Sequence, residues 1–214
     1  MRKPLSYAVL ALSLVAFGGG CALTSKADVV DVRYFSPERV QPRLTSANGT
    51  DPRETSVELR LGRVSSGSNL RDRIAFRGSA YELGYYETWR WSERPETYVR
   101  RDLTRKLFEE HGLRRVHGGA VPTLDVEVIA FDDLRLGEQR AARVQLAVVL
   151  SSDEGVLWEE TITVDQPVSV KNPKIEDVVA AMAIALDAAS EQVTQKVQSA
   201  LVARTLPTGT QPGP

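Results

Sequence analysis

The stretch Leu124-Asp125-Val126-Glu127-Val128-Ile129-Ala130 places apolar side chains at every second position, with Asp125 and Glu127 between them. Successive side chains of an extended chain point to opposite faces, so this spacing describes a strand with one buried and one open face. The pattern continues downstream. Val144, Leu146, Val148 and Leu150 alternate in the same way, and after the turn Ser152-Asp153-Glu154-Gly155 residues 156–164 supply a third β-rich run. Three such strands joined by turns predict an antiparallel meander.

A helix should follow. Asn172-Pro173 reads as its start, because Asn caps helices and Pro suits the first helical position. Ile175, Val178, Val179, Met182, Leu186, Ala189, Val193, Val197 and Leu201 then form one apolar stripe, which predicts a helix lying across the sheet. The last ten residues, 205–214, hold three prolines and two glycines and are expected to be disordered.

The first half shows strands followed by a helix as well. Strands are expected at residues 29–35 and 57–64, and a longer extended run from Ile74 to Trp89 is broken by Gly78 and Gly84, read as bulges or bends. Ser92 is the expected cap of a helix in which Tyr98, Val99, Leu103, Leu107 and Phe108 recur at helical spacing, with Gly112 as its stop. Residues 36–55 carry Pro37, Pro42, Pro52 and Asn48-Gly49 with few large apolar residues, and so read as a long polar loop. Segregated strands and helices in this order predict an α+β fold: a mixed, largely antiparallel sheet with two amphipathic helices packed on one face.

The N-terminus has its own logic. Arg2 and Lys3 precede an apolar run at residues 5–17, then Gly18, Gly19 and Gly20, then Cys21, the sole cysteine. Basic, apolar and small segments in that order describe a lipoprotein signal over residues 1–20, with Cys21 the site of lipid attachment. This run of thirteen residues, 5–17, falls short of the roughly 20 that span a bilayer as a helix. Residues 21–28 would be a lipidated tether and residues 29–204 the folded domain. The competing reading is ordinary secretion, with Cys21 discarded or left as a free thiol. Ala22 in place of Asp favours sorting to the outer membrane where the enteric-type rule applies.

Charge and composition exclude several classes. The chain has 27 basic and 28 acidic residues, and loss of Arg2 and Lys3 with the signal leaves a mature charge of −3. A nucleic-acid binder would show a strongly basic balance. One cysteine allows neither an internal disulfide nor a Cys-based zinc site. The histidines, His111 and His117, stand six apart across Gly112, without the spacing of a helical metal pair. No Gly-x-Ser-x-Gly elbow, phosphate loop or dinucleotide fingerprint occurs. Asp132-Asp133 and Glu159-Glu160 are expected as solvated turn or edge charges. The reading is therefore of a non-enzyme, without cofactor or metal beyond a covalent lipid on Cys21.

Five of the fourteen aromatic residues, Tyr81, Tyr85, Tyr86, Trp89 and Trp91, fall within eleven positions. Tyr and Trp combine apolar area with a polar tip, so Tyr85, Tyr86 and Trp89 are candidate partner-binding residues. Core packing at the strand-to-helix junction is the alternative, and it is the reading preferred for Trp91.

Residues 70–77 (Leu70-Arg71-Asp72-Arg73-Ile74-Ala75-Phe76-Arg77), Tyr85-Tyr86-Glu87 and Trp89-Arg90-Trp91-Ser92-Glu93 precede the first helix. Together with Leu124-Asp125-Val126-Glu127-Val128, Phe131, Gly155-Val156-Leu157 and Val179-Ala180-Ala181-Met182, they resemble the ABC-type transport auxiliary lipoproteins. That family is typified by an accessory component of mammalian-cell-entry (MCE) lipid transport systems. The resemblance implies a lipoprotein anchored at the outer membrane and facing the periplasm. It would assist an MCE-family protein and an ABC transporter complex in moving lipids or other hydrophobic molecules, with Cys21 as the functional position carried over. Gly18 and the long polar loop depart from the family pattern. Homo-oligomerisation is compatible with this reading. A lipid-carrying periplasmic protein and a structural lipoprotein of outer-membrane or cell-wall assembly are the alternatives.

Overall fold

The meander is the frame on which everything else is hung. In the computed structural model, which describes residues 31–38, 57–169 and 171–205, it consists of β6 (Thr123–Leu136), β7 (Gln139–Ser152) and β8 (Gly155–Pro167), paired antiparallel throughout. The preceding strands are β1 (Arg33–Phe35), β2 (Glu58–Ser66), β3 (Arg73–Arg77), β4 (Gly84–Trp91) and the short β5 (Arg114–Arg115). One edge of β6 is taken by β7. Its other edge is shared end to end: β2 runs parallel to residues 123–128, and β3 runs parallel to residues 132–134. Outside these, β5 pairs with β2, β4 with β3, and β1 with β4. Among the described residues the sheet has eight strands; its long ladders are antiparallel and its parallel pairings are short.

Both helices cover one face of this sheet, as the periodicities predict. Helix α1 (Pro95–Thr104) packs on β2 and β6, and α2 (Ile175–Thr205) packs on β7 and β8. Leu124, Val126 and Val128 of β6 and Leu146, Val148 and Leu150 of β7 meet the buried stripe of α2, Val178, Met182, Leu186, Ala189, Val193 and Val197. Trp91, Tyr98 and Phe131 fill the region beneath α1, with Trp91 edge-on to Phe131 at 5.2 Å between ring centres. Aromatic pairs favour this arrangement because the positive edge of one ring meets the negative face of the other. Trp91 thus holds the core position expected for it.

Several local expectations are corrected. The run from Ile74 to Trp89 is a β3–β4 hairpin rather than one bent strand, since residues 78–83 turn the chain back on itself. Ser92 does not cap α1. Arg94 occupies the cap position without a side-chain bond, and Ser92 Oγ instead lies 2.8 Å from the Tyr98 hydroxyl. That hydroxyl also accepts the Glu93 amide at 2.9 Å, so a core tyrosine satisfies the polar groups at the helix entry. Beyond Thr104 the helix widens into a π-helical segment, Arg105–Glu110. The His111 amide donates to Lys106 O at 2.9 Å, and Gly112 then turns left-handed at φ 68°. Asn172 has φ 57° and is not the cap of α2, which starts at Ile175; the Lys174 amide is met by Asp177 Oδ2 at 2.8 Å. Thr205, expected in the tail, is the last residue of α2.

The expected signal at residues 1–20, Cys21 and its tether, most of the polar loop at 36–55 and the tail beyond Thr205 lie outside the described residues. Among the described residues no helix is long and apolar enough to cross a membrane.

Candidate functional site

Of the aromatic cluster, Tyr85 and Tyr86 take opposite faces of β4, as alternation requires. A bulge then intervenes: Ala75 pairs with Tyr85 but Arg73 pairs with Arg90, leaving more residues on β4 than on β3. The bulge reverses the alternation, so Tyr86, Trp89 and Trp91 share the helix-covered face. Tyr86 and Trp89 pack at 4.3 Å between ring centres, and Phe76 meets Tyr86 edge-on at 5.3 Å. Gly84 is required beneath Phe76, because any Cβ there would enter the ring. Tyr85 donates from its hydroxyl to Asn69 O at 3.0 Å. All three candidate contact residues are half-buried. Among the described residues the aromatics most open to solvent are Tyr34 on β1 and Tyr81 in the β3–β4 turn.

Tyr86 is held by a buried charge that the sequence reading placed in solvent. Asp132 and Asp133 lie inside β6 and are fully buried, a correction to their expected role as turn or edge charges. Asp133 accepts Arg140 Nε at 2.9 Å on one oxygen; on the other it accepts Arg140 Nη2 at 2.8 Å, Arg135 Nε at 3.0 Å and the Tyr86 hydroxyl at 2.5 Å. Arg140 also donates to the Tyr86 hydroxyl and to Pro173 O, tying β7 to the entrance of α2. The Arg135 guanidinium lies over both Phe76 and Tyr86, 4.3 and 4.5 Å from their ring centres. Burial pushes the Asp133 carboxyl up, and the bonds and charge of Arg140 offset this only in part.

Asp132, one residue earlier, faces the side of the sheet that carries no helix among the described residues. Its Oδ2 accepts Arg77 Nε at 2.6 Å, while Oδ1 is buried with no hydrogen-bond partner. The cross-strand register places Asp132 beside Arg143 and Arg143 beside Asp165, whose two oxygens accept Arg143 at 2.7 and 2.6 Å. A ladder of alternating charge therefore crosses β3, β6, β7 and β8 on the open face.

Between the helices, charged residues converge again. Lys106 is buried, with Nζ 3.0 Å from Asp187 and 3.3 Å from Glu191. Arg105 pairs with Asp102, Glu110 and Asp187. His111, which follows the π-helical segment, bridges to Gln198 and Glu191 at 3.1 and 3.2 Å. Burial opposes the Lys106 charge, yet Asp187, Glu110 and Glu191 hold its pKa above the usual lysine value. An open cleft of about 840 Å³ adjoins this cluster, lined among others by Arg101, Asp102, Arg105, Ile184 and Asp187. Among the described residues no three His, Cys, Asp or Glu side chains converge as a metal ion would require.

These features define an α+β domain whose distinctive groups brace surfaces: a half-buried aromatic belt, an uncovered sheet face and the free edge of β8. The chain belongs to the family described as the ABC-type transport auxiliary lipoprotein component, whose model matches residues 43–194. The fold is shared with solved structures. A crystal structure of a protein from Xanthomonas campestris is 22% identical, with 81% of this chain and 99% of that one covered and a TM-score of 0.67. An uncharacterised protein is 12% identical, with 78% and 99% covered and a TM-score of 0.61. A hypothetical protein from Chlamydia trachomatis is 10% identical, with 69% and 98% covered and a TM-score of 0.50. No curated protein matches the chain at a significant level. The family is one of auxiliary transport components.

Proposed function

We propose that this protein is a lipid-anchored accessory subunit of an ABC/MCE-type system, held by Cys21 at the outer membrane with its folded domain in the periplasm. The domain docks on the MCE-family protein or the transporter and supports movement of lipids or other hydrophobic molecules across the envelope. The observation that carries this reading is the family match over residues 43–194. The cleft beside Lys106 supports it over a lipid carrier, since Glu38, Arg101, Asp102, Arg105 and Asp187 stand among the apolar Pro37, Ala183, Ile184 and Leu186, a mixed lining unlike the predominantly apolar pocket that an acyl chain needs.

The test is crosslinked affinity purification of the tagged protein from intact membranes, with identification of proteins and lipids, beside a Cys21→Ser control. Recovery of an MCE-family protein and of transporter subunits, with loss of membrane association in the control, is the expected result. Co-purified lipid without transporter components would favour the carrier, and recovery of neither would overturn the assignment.

A further inference from the structure

β8 is an edge strand: one side is paired to β7, and among the described residues no strand pairs with the other. Its free backbone groups can be assigned. The Val168 amide donates to Arg140 O at 2.9 Å, which makes Arg140 and Val168 a hydrogen-bonded pair. Hydrogen-bonded and non-bonded pairs alternate along an antiparallel ladder. Following the register back, Gln166, Val164, Ile162 and Glu160 point their N–H and C=O groups at β7, whereas Asp165, Thr163, Thr161 and Glu159 point theirs outward. The side-chain bonds agree. Arg143 to Asp165 and Gln145 to Thr163, at 3.0 Å for the latter, are the close contacts expected across non-bonded pairs.

Edge strands are commonly protected by lysine, proline or bulges. Here the only bulge lies near the hairpin, between the pairs Leu150↔Trp158 and Ser151↔Val156, and the one proline, Pro167, ends the strand. Residues 158–166 form an uninterrupted edge rich in Thr, Ile and Val. Its charge is of one sign. From residue 151 to residue 170 there are five acidic residues, Asp153, Glu154, Glu159, Glu160 and Asp165, and no Lys or Arg. Arg143 and Lys196 offset Asp165 and Glu160, Arg204 offsets Asp153 and Glu154 near the hairpin, and Glu159 has no ion pair among the described residues. Val156, 62% exposed, adds an apolar contact at the hairpin end.

We propose that the free edge of β8 at residues 159–165 receives an extended basic segment of a partner protein as an added β-strand. Main-chain bonds from Glu159, Thr161, Thr163 and Asp165 supply the pairing, and lysines or arginines at alternate positions of the incoming segment meet Glu159 and its acidic neighbours. A second copy of this chain fits poorly, because edge-to-edge pairing would bring two acidic strands to one seam. Identifying the partner as a transport-system subunit rests on the function proposed above; the edge chemistry does not.

The experiment measures amide hydrogen exchange on the full lipidated chain in detergent, with an alternating Lys–Val octapeptide and its Glu–Val counterpart as probes. The expected result is exchange slowed by about tenfold or more at Glu159, Thr161, Thr163 and Asp165 with the basic peptide, and no slowing with the acidic one. Thr163→Pro removes an outward N–H that β7 does not use and should abolish the effect. Glu159→Lys with Thr161→Lys leaves every backbone donor intact and should reverse the preference between peptides. Equal protection by both peptides, protection elsewhere on the sheet, or protection in the protein alone that depends on its own concentration would overturn the proposal. If the transport complex is recovered but these four amides stay unprotected within it, the edge proposal fails and the accessory role stands. If no complex forms, the accessory role fails and the peptide result alone decides the edge.

Discussion

Asp132 and Asp133 are consecutive, equally buried, and answered by arginines on opposite faces of one strand. Asp132 meets Arg77 on the open face; Asp133 meets Arg140 and Arg135 on the helix-covered face. Their environments are not equivalent. Arg140 is tied down by Tyr86 and Pro173, whereas Asp132 already has an unbonded oxygen and a partner that can reorient toward water. Asp133→Ala should cost about 3–5 kcal/mol, the usual consequence of stranding a buried charge. Asp132→Asn, which keeps one acceptor for Arg77, should cost less than about 1.5 kcal/mol. Urea unfolding of the two variants checks the ratio.

Tyr86 and Tyr85 should separate in the same way. The Tyr86 hydroxyl donates to Asp133 and accepts from Arg140, so Tyr86→Phe removes two bonds to charged groups and should lose about 1–3 kcal/mol. Tyr85→Phe removes one bond to the Asn69 carbonyl and should lose about 1 kcal/mol or less. Thermal unfolding distinguishes them. The comparison also guards the interface experiment, because weaker docking by a Tyr86 variant is meaningful only where its stability is matched.

Gly84 answers to packing. A methyl group there would enter the Phe76 ring, and that ring is held from its other side by Tyr86 and Arg135. Gly84→Ala should cost about 1–3 kcal/mol through overpacking, and Gly84→Ala with Phe76→Leu should recover part of it. A double-mutant cycle by chemical denaturation measures the coupling.

The helix–helix clamp should be acid-sensitive. Burial pushes Asp187 and Glu191 up, but Lys106 and Arg105 bonded to Asp187, and Gln195, His111 and Lys106 bonded to Glu191, hold both carboxyls below their ordinary range. A carboxylate with a lowered folded-state pKa contributes stability that is present above the ordinary carboxylate pKa and is lost as pH falls through the lowered value. Asp187→Asn and Glu191→Gln should therefore destabilise the protein at neutral pH, with the difference from wild type shrinking in the acid range. Asp133, pushed the other way, contributes with the opposite sign. Unfolding midpoints between neutral and acidic pH provide the check.

The meander and α2 were legible because periods of two at residues 124–128 and 144–150, and of 3.6 over residues 175–201, each run unbroken over several residues. β6 was legible only in its first half. Its continuation through Asp132 and Asp133 depends on arginines whose placement only the folded sheet fixes: Arg77 reaches Asp132 across 55 positions, and Arg140 returns to Asp133 from the next strand. A run of carboxylates therefore looks solvated until its counter-charges are placed. Ser92 failed as a cap for a similar reason, since Tyr98 in the core took up its hydroxyl. Opposite facing of Tyr85 and Tyr86 followed from alternation, but the β4 bulge that gathers Tyr86, Trp89 and Trp91 on one side leaves no local signature. The outward amides of β8 needed the register with β7, which no single strand encodes.

β6 offers one continuous edge to two strands that precede it in the chain, and this constrains the order of assembly. β2 and the β3–β4 hairpin have no seat in the sheet until β6 exists, while β6, β7, β8 and α2 are contiguous and joined by short connections. A chain emerging N-terminus first can close the local β3–β4 hairpin, but it cannot build that hairpin or β2 into the sheet until β6, which ends at Leu136, is available. The C-terminal half, rich in local contacts, is then the natural nucleus, and the N-terminal strands zip onto it late. Such a chain lacks the central strand of its sheet through most of its emergence, and without a closed core it is readily threaded through a narrow channel.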